Sequence, residues 1–211
     1  AVVREAAQQE VIRRYFRHAC EYALGMAERE TVSRIEMLMQ ELRIAPTDRR
    51  VVRPARQAAA DCVKNGKGDH GICCGAAIEL HDGRILAGKN SKLMHAASAM
   101  VLNAVKTMAG IPDKIHLLSP DVVQAIIRMK HEVLAGKYAS LNLDETLIAL
   151  AISSASNPAA QAALDLLPQL RDCEIHLTHI VSAGDEVGIR RLGLRHTCDA
   201  HFATADLYVE S

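Results

Sequence analysis

The sequence has 211 residues, of which 49% are hydrophobic and 24% are charged, a composition typical of one or two globular domains. Its 25 Lys and Arg residues balance its 25 Asp and Glu residues, so no net positive charge draws the chain to nucleic acid or to an anionic membrane. No apolar run approaches the ~20 residues that a bilayer-spanning helix needs. We therefore expect a protein with no nucleic-acid partner and no membrane partner.

The first third of the chain has the apolar spacing of helices, with a period near 3.6 residues. Three helices are predicted, over residues 3–28, 31–45 and 47–63. Pro54 falls early in the third helix or splits it into two pieces. The run Asn65-Gly66-Lys67-Gly68-Asp69 is rich in helix breakers and marks a boundary. This pattern predicts a helical subdomain over residues 1–69.

The rest of the chain alternates strand-like and helix-like segments. Residues 72–88 predict a β-hairpin, because two apolar segments flank the turn signal Asp82-Gly83. Further short strands are predicted at 115–118, 173–181 and 194–198, and helices at 93–108, 122–134, 144–154, 159–167 and 185–192. The order of these elements predicts a three-layer α/β subdomain over residues 70–211.

The chain has six cysteines and none of them forms a C-x-x-C pair. Such cysteines are typical of reduced thiols in a cytosolic protein. The first residues lack the basic start and apolar core of a signal peptide. We therefore expect a cytoplasmic location, and we find no motif for a cofactor.

Several runs are too specific to be general features of an α/β fold. They include Gly88-Lys89-Asn90-Ser91, Leu93-Met94-His95-Ala96-Ala97-Ser98-Ala99, Ala109-Gly110-Ile111-Pro112-Asp113, Leu143-Asp144-Glu145-Thr146 and Ser156-Asn157-Pro158-Ala159. In this order they resemble the bacterial family called domain of unknown function 1846, or uncharacterised protein family 0371. The resemblance covers essentially the whole chain. It implies a longer protein with an N-terminal portion that nothing here matches, which would be a partner of this part, and it implies no established activity.

A second resemblance, at the level of the fold, is to cytidine deaminases. The hairpin, the following turn and a helix that opens with a histidine place His95 in the position of the first zinc ligand. Ala97 stands in the position of the catalytic glutamate, and Ala159 and Ala162 stand in the positions of both cysteine ligands. Because alanine neither binds zinc nor carries a proton, this resemblance implies a deaminase-like fold without a metal.

The turn between the hairpin and the next helix is the first candidate site. A helix start favours an anion through its free N–H groups and its dipole, and Lys89 adds a positive charge. Asn90 and Ser91 are either ligand-binding residues or ordinary helix caps. His95 is the candidate general base, with Ser98 beside it as a ligand-binding residue. The alternative is that both side chains are buried and bonded within the protein.

Three further sets of polar residues have two interpretations each. Asp144 and Glu145 open an apolar helix, either as a favourable acidic first turn or as catalytic carboxylates. Asn157 is either a helix cap or a ligand contact. The third set consists of possible metal donors that more simply form a polar surface: His196, Cys198 and His201.

Two functions from different classes remain open at this stage. The chain binds a small anionic or nucleotide-like ligand in a pocket of ~300–1,000 Å³, with or without catalysis. Alternatively it is a structural module that forms a homo-oligomer through an apolar interface of ~2,000 Å² or more.

Overall fold

The computed structural model describes residues 2–136 and 138–204. Its helices are α1 (Val2–Ala23), α2 (Arg29–Leu42), α3 (Val52–Lys64), α4 (Ala96–Met108), α5 (Pro120–Arg128), α6 (Leu143–Ser154), α7 (Pro158–Leu166) and α8 (Ala183–Leu192). Its strands are β1 (Gly75–Glu79), β2 (Ile85–Lys89), β3 (Glu174–Leu177) and β4 (Arg195–Cys198). The α/β prediction is thereby confirmed.

The four strands form one mixed sheet in the order β2-β1-β3-β4. Strand β1 is antiparallel to both β2 and β3, whereas β3 and β4 are parallel. The predicted hairpin is confirmed, and Gly83 in its turn has a φ of +82° that favours glycine. Helix α8 connects β3 to β4, since parallel neighbours need a crossover rather than a tight turn.

Helices cover both faces of this sheet, and the alternation of side chains along β1 shows how. Ala77 packs with Val51 and Ala55 on the face covered by α3. Ala76 and Ile78 point the other way, into the large core that α4, α6 and α7 complete. Helix α1 lies against β4 and β3 on the α3 face, with the Phe16 ring 4.8 Å from that of His176.

Close contact between β2 and α4 depends on Gly88. A Cβ atom at this position would lie 2.2 Å from the backbone N of Met100 and 2.7 Å from the carbonyl O of Ala96. These are backbone atoms of the helix, which a side-chain rotation cannot move away. The missing side chain therefore sets how near the first turn of α4 lies to the sheet.

Three predicted elements differ from the structure. Residues 115–118 form no strand; Leu117 and Leu118 are buried in the core, but no strand pairs with them. The third predicted helix is divided into a 3₁₀ turn at Pro46–Asp48 and α3, which places Pro54 in a first turn where its missing N–H has no cost. The helix predicted over residues 122–134 changes to a π turn at Met129–Val133.

The proposed boundary at residue 69 stays a prediction, as does the extent of the second unit, whose residues 205–211 lie outside the described part. Helix α3, which belongs to the predicted helical subdomain, packs directly on β1 and β2. The helical segment therefore supplies one layer of the α/β arrangement. None of the described helices has both the length and the apolar character required to cross a bilayer.

Candidate functional site

All four strands have one of their ends along the same edge of the sheet, the edge that runs across the strands. The parallel strands β3 and β4 end there, β2 ends there at Lys89, and β1 begins there at Gly75. The backbone N–H of Thr178, just after β3, donates to the carbonyl of Gly75 at 3.0 Å. In open α/β sheets, ligands bind outside the carboxyl ends of the parallel strands. This edge, called the carboxyl edge below, is therefore where a site is expected.

Helices α4, α6 and α8 all begin at the carboxyl edge, and backbone bonds join their first residues. The N–H of His95, which precedes α4, donates to the carbonyl of Leu141 at 2.9 Å. The N–H of Leu143, at the start of α6, donates to Oδ1 of Asp185 in the first turn of α8 at 2.8 Å. Three helix starts thus meet around a single carboxylate.

Asp185 is fully buried, and its carboxylate has three hydrogen-bond donors. Besides the Leu143 N–H, Oδ2 accepts the Ser182 hydroxyl at 2.8 Å and lies 2.7 Å from Nδ1 of His95. Burial by itself would raise the pKa of Asp185, but the bonds from His95, Leu143 and Ser182 and the charge of a protonated His95 hold that pKa below its usual value. Asp185 is therefore ionised and can only accept hydrogen bonds.

The ionisation state of Asp185 determines which ring nitrogen of His95 carries the hydrogen. Because an ionised carboxylate has no proton to give, Nδ1 of His95 must carry the hydrogen in their bond. A neutral ring then has Nε2 as an unprotonated acceptor. The His95 side chain is 29% exposed. Part of the ring is therefore accessible to solvent, while Nδ1 is bonded to Asp185. A histidine fixed in this way can take up and return a proton.

A second histidine, His179, lies just beyond the end of β3. It is 7% exposed, and its Nδ1 has no hydrogen-bond partner among the described residues. Burial lowers the pKa of His179 to about 4; Asp185 opposes this shift and His95 adds to it. His179 is therefore a neutral imidazole at pH 7, in the same electrostatic neighbourhood as the His95–Asp185 pair.

An ion-pair network occupies the α3 side of the carboxyl edge. Arg56 donates to both carboxylate oxygens of Asp199, at 2.6 and 3.0 Å. His176 lies with Nδ1 2.9 Å from the Thr197 hydroxyl and Nε2 3.5 Å from Asp199. Burial raises the pKa of Asp199, but the bonds from His176 and Arg56 outweigh this and lower it. The network joins α3 to the end of β4.

The two predicted residues at the end of β2 lie in different surroundings. The Asn90 amide is occupied: Oδ1 accepts the Cys74 N–H at 2.7 Å and Nδ2 donates to the Ile72 carbonyl at 2.7 Å. The Lys89 side chain has no hydrogen bond or ion pair within the part of the chain that the structure describes. Since Ala87 packs on the α3 face, alternation sends the Lys89 side chain to that face as well, away from α4.

The other predicted ligand-binding residues bond to the backbone. The Ser91 hydroxyl accepts the N–H groups two and three residues further along the chain. Ser98 is fully buried and donates to the Leu141 carbonyl at 3.2 Å. Asn157 caps α7 through Oδ1, and its Nδ2 donates to the carbonyl of His116 at 2.9 Å. These bonds fix the first turns of the helices. They also occupy the polar atoms of Ser91, Ser98 and Asn157 that would otherwise be available to a ligand.

The two predicted catalytic carboxylates also have partners within the protein. Asp144 pairs with Arg191 at 2.5 Å. Glu145 accepts the Asn142 N–H at 2.9 Å, completing a capping box, and pairs with Lys130 at 2.9 Å. Of the three residues predicted to be catalytic, His95 is therefore the one whose surroundings suit proton transfer.

The structure describes no arrangement that holds a metal. Across residues 2–136 and 138–204, no three His, Cys, Asp or Glu side chains are grouped as metal ligands. The possible donor set His196, Cys198 and His201 is thus not assembled. The deaminase-like resemblance stays a prediction. Ala97 is buried in the first turn of α4, a helix that packs against α7.

Two clefts lie elsewhere on the surface. One of about 440 Å³ lies between α1 and the segment around Arg43 and Asp48. Another of about 360 Å³ lies between α1 and the end of β4, and Cys20 and Cys198 line it. His95 lines neither of these two clefts.

Sequence reasoning missed Asp185 as the partner of His95 and His179 as their neighbour. The pattern Ser182-x-x-Asp185 after a strand is a helix-cap signal that places a carboxylate in a first turn. It does not reveal the partner, because His95 and Asp185 are 90 positions apart in the chain.

Comparison with known proteins gives the family. The family model described as "Domain of unknown function DUF1846, C-terminal" matches residues 47–208, and the model described as "Domain of unknown function DUF1846, N-terminal" matches residues 1–43. The expectation that nothing here corresponds to the family's N-terminal portion is therefore wrong. The stretch that matches the N-terminal model contains α1 and α2. Their amphipathic pattern is common to many helices, so it did not indicate that these residues belong to the family's N-terminal domain.

Similar curated proteins come from Clostridium botulinum. A UPF0371 protein of strain Eklund 17B / Type B is 44% identical over 206 residues, covering 98% of this chain and 41% of that protein. A UPF0371 protein of strain Langeland / NCTC 10281 / Type F is 44% identical over 207 residues, with the same coverage. The chain thus spans about two fifths of the length of these relatives. It belongs to the DUF1846 family, also named UPF0371, as the ordered motifs of its sequence predicted.

Proposed function

We propose that the carboxyl edge binds a small anionic ligand and that His95 exchanges a proton with it. The observation that carries this proposal is the 2.7 Å contact between Nδ1 of His95 and the fully buried carboxylate of Asp185. A buried carboxylate that holds one imidazole nitrogen sets the tautomer and orientation of the ring. The other nitrogen of His95 then serves as the proton acceptor or donor.

The first turn of α4 supports an anion as the ligand. The residue that precedes α4, His95, provides no side-chain cap, as is also the case for α2, α3 and α5, whereas α6, α7 and α8 begin with a side chain that accepts their N–H groups. The first N–H groups of a helix need acceptors and carry its positive dipole end. An anionic oxygen placed there would lie next to the His95 ring. The unpartnered Nδ1 of His179 supplies a further polar atom in this neighbourhood.

The openness of the site fits the length of the relatives. They are more than twice as long as this chain, and His95 lines neither of the two clefts described above. We propose that a further portion of the protein, as found in those relatives, closes over the ring. This portion would contribute the remaining ligand contacts and exclude water.

Titration by NMR tests the proposal on the chain itself. The ¹H–¹³C resonance of the His95 ring, assigned by its loss in His95→Gln, is followed while inorganic phosphate, AMP or glucose 6-phosphate is added. We expect a saturable shift of this resonance for at least one of the three compounds. We also expect that compound to raise the melting temperature of the protein. The increase should grow with the ratio of the compound's concentration to its Kd.

His18 provides the matched control. It also bonds to a carboxylate through Nδ1, 2.5 Å from Glu21, and its side chain is 24% exposed, but it lies on α1. Its resonance should stay unchanged, and His18→Gln should bind as the wild type does. Equal shifts at both histidines would mean nonspecific ion binding and would refute the site.

A structural role is the second candidate, and one surface favours it. Ile148 and Ile152 lie one turn apart on α6 and are 52% and 53% exposed. Such residues are typical of a face that packs against another chain. If the chain forms a homo-oligomer through this face, the double substitution Ile148→Glu/Ile152→Glu should lower the mass measured by light scattering. Asp144→Asn, on the same helix, is the control and should leave that mass unchanged.

A further inference from the structure

Two thiols from distant parts of the chain meet beside the sheet. Sγ of Cys20, in α1, lies 3.4 Å from Sγ of Cys198, at the end of β4, and 3.3 Å from the carbonyl O of Cys198. The two residues are 178 positions apart in sequence. An approach of a little over 1 Å would bring the sulfur atoms to the ~2.05 Å of a disulfide.

The pair is accessible to a small oxidant. Cys20 is half-buried and Cys198 is 8% exposed, and both residues line the cleft of about 360 Å³ between α1 and β4. The described cysteines are all free in this structure. A molecule the size of a peroxide can therefore reach the sulfur atoms without unfolding the protein.

The surroundings also distinguish the two thiols. A hydrogen bond from Cys20 lowers the pKa of Cys198, and the same bond is the main cause of the raised pKa of Cys20. The thiolate is the nucleophilic form of cysteine. The shared hydrogen bond favours Cys198 as the thiolate that reacts first, with the Cys20 sulfur 3.4 Å away to react second.

We propose that Cys20 and Cys198 form a reversible disulfide when the protein meets hydrogen peroxide. The Cys198 thiolate attacks one peroxide oxygen, the O–O bond breaks, and Cys198 becomes a sulfenic acid as hydroxide leaves. Cys20 sulfur then attacks the Cys198 sulfur, the S–O bond breaks, and the displaced hydroxide takes the Cys20 proton. The first hydroxide takes up the proton that Cys198 released on ionising, so one peroxide becomes two waters as the two sulfurs lose two electrons. A thiol reductant reverses the step.

The bond would tie α1 to the sheet close to the carboxyl edge. Cys198 directly precedes Asp199, which holds Arg56 and His176. Helix α1 belongs to the stretch that matches the family's N-terminal model, and β4 to the stretch that matches the C-terminal model. Oxidation would therefore link the two stretches covalently, whereas the reduced protein holds them by non-covalent contacts, such as the 3.0 Å ion pair of Arg13 with Glu174.

Peptide mapping tests the proposal directly. The purified 211-residue chain is treated with hydrogen peroxide, blocked with iodoacetamide and digested with trypsin without reduction. Cys20 lies in peptide 18–29 and Cys198 in peptide 196–211, each with a single cysteine. We expect a linked 18–29/196–211 species that disappears on reduction, and a melting temperature higher by roughly 5–15 °C in the oxidised chain.

Variants separate this bridge from other oxidation. Cys20→Ser and Cys198→Ser should each lose the linked species and the increase in melting temperature. Cys173→Ser, which removes a buried thiol elsewhere in the core, should keep both. Recovery of the two peptides separately alkylated, or of Cys198 as sulfinic acid without a link, overturns the proposal. So does a link between other cysteines, such as Cys62 and Cys73. The wild-type map decides even if a variant fails to fold.

Discussion

Replacing His179 with glutamine should weaken the dependence of stability on pH between pH 7 and pH 5. The wild-type imidazole is 7% exposed, and burial lowers its pKa to about 4. In the unfolded chain the same group has a pKa of about 6.5. Glutamine keeps a polar side chain at the position but does not titrate.

The sign and size of the effect follow from proton linkage. Between pH 6.5 and pH 4 the unfolded state takes up a proton at His179 and the folded state does not, so acidification favours unfolding. The free energy of unfolding should therefore fall as the pH falls. From the two pKa values, this residue removes about 2 kcal/mol of stability between pH 7 and pH 5.

Urea denaturation at both pH values measures the effect, because the free energy of unfolding in water is obtained by linear extrapolation. The quantity of interest is the difference between pH 7 and pH 5 within each protein, which is insensitive to a general loss of stability in the variant. His131→Gln removes a solvent-exposed histidine and is the control, with the wild-type pH dependence expected.

The interval stops at pH 5 because the buried carboxylates titrate lower. Asp185 and Asp199 have lowered pKa values in the folded state, so their contribution is lost only as the pH falls through those values. A His179→Gln protein whose stability falls between pH 7 and pH 5 as much as that of the wild type would refute the reasoning. It would mean that His179 is protonated in the fold.

Further substitutions, two near the site and one pair at the opposite end of the sheet, are tested by the same urea measurement. Asp185→Asn should cost about 3 kcal/mol, because the donors around the carboxylate lose an ionised acceptor; an unchanged midpoint would contradict this. Gly88→Ala should cost about 1–3 kcal/mol or more, since its Cβ meets helix backbone, and a tolerated alanine would show that α4 can shift freely. Arg49, 2% exposed, pairs with Glu174 at 2.5 Å; Arg49→Met should cost about 3–5 kcal/mol, and adding Glu174→Leu should recover much of it.

The local elements were largely readable from the sequence because they depend on neighbours in the chain. The Asp82-Gly83 turn predicted the β1–β2 hairpin, and the capping pattern at Asn157-Pro158 predicted the start of α7. The strand predicted at 115–118 failed for a non-local reason. An apolar run indicates burial, but a strand also needs a partner strand, and none of the described strands pairs with this run.

The candidate site shows the same division between local and distant information. His95 was identifiable as a polar residue at a helix start within an apolar run, and that judgement needed only its neighbours. The roles of Asn90 and Ser98 were not identifiable, because each lies beside the carbonyl or N–H of a residue outside its own element. Their polar atoms hold strands and helices together.

Composition, periodicity and turn signals thus determined the class of fold, the hairpin and most helices, and the ordered motifs carried the resemblance to the family. The tertiary structure decided which polar groups meet: it placed Asp185 beside His95 across 90 positions and Cys20 beside Cys198 across 178. Hydrogen bonds and burial are short-ranged, whereas the pattern of a sequence reports only the few residues around each position. Contacts between remote segments arise when the helices pack on the two faces of the sheet, and both the proposed site and the proposed disulfide depend on such contacts.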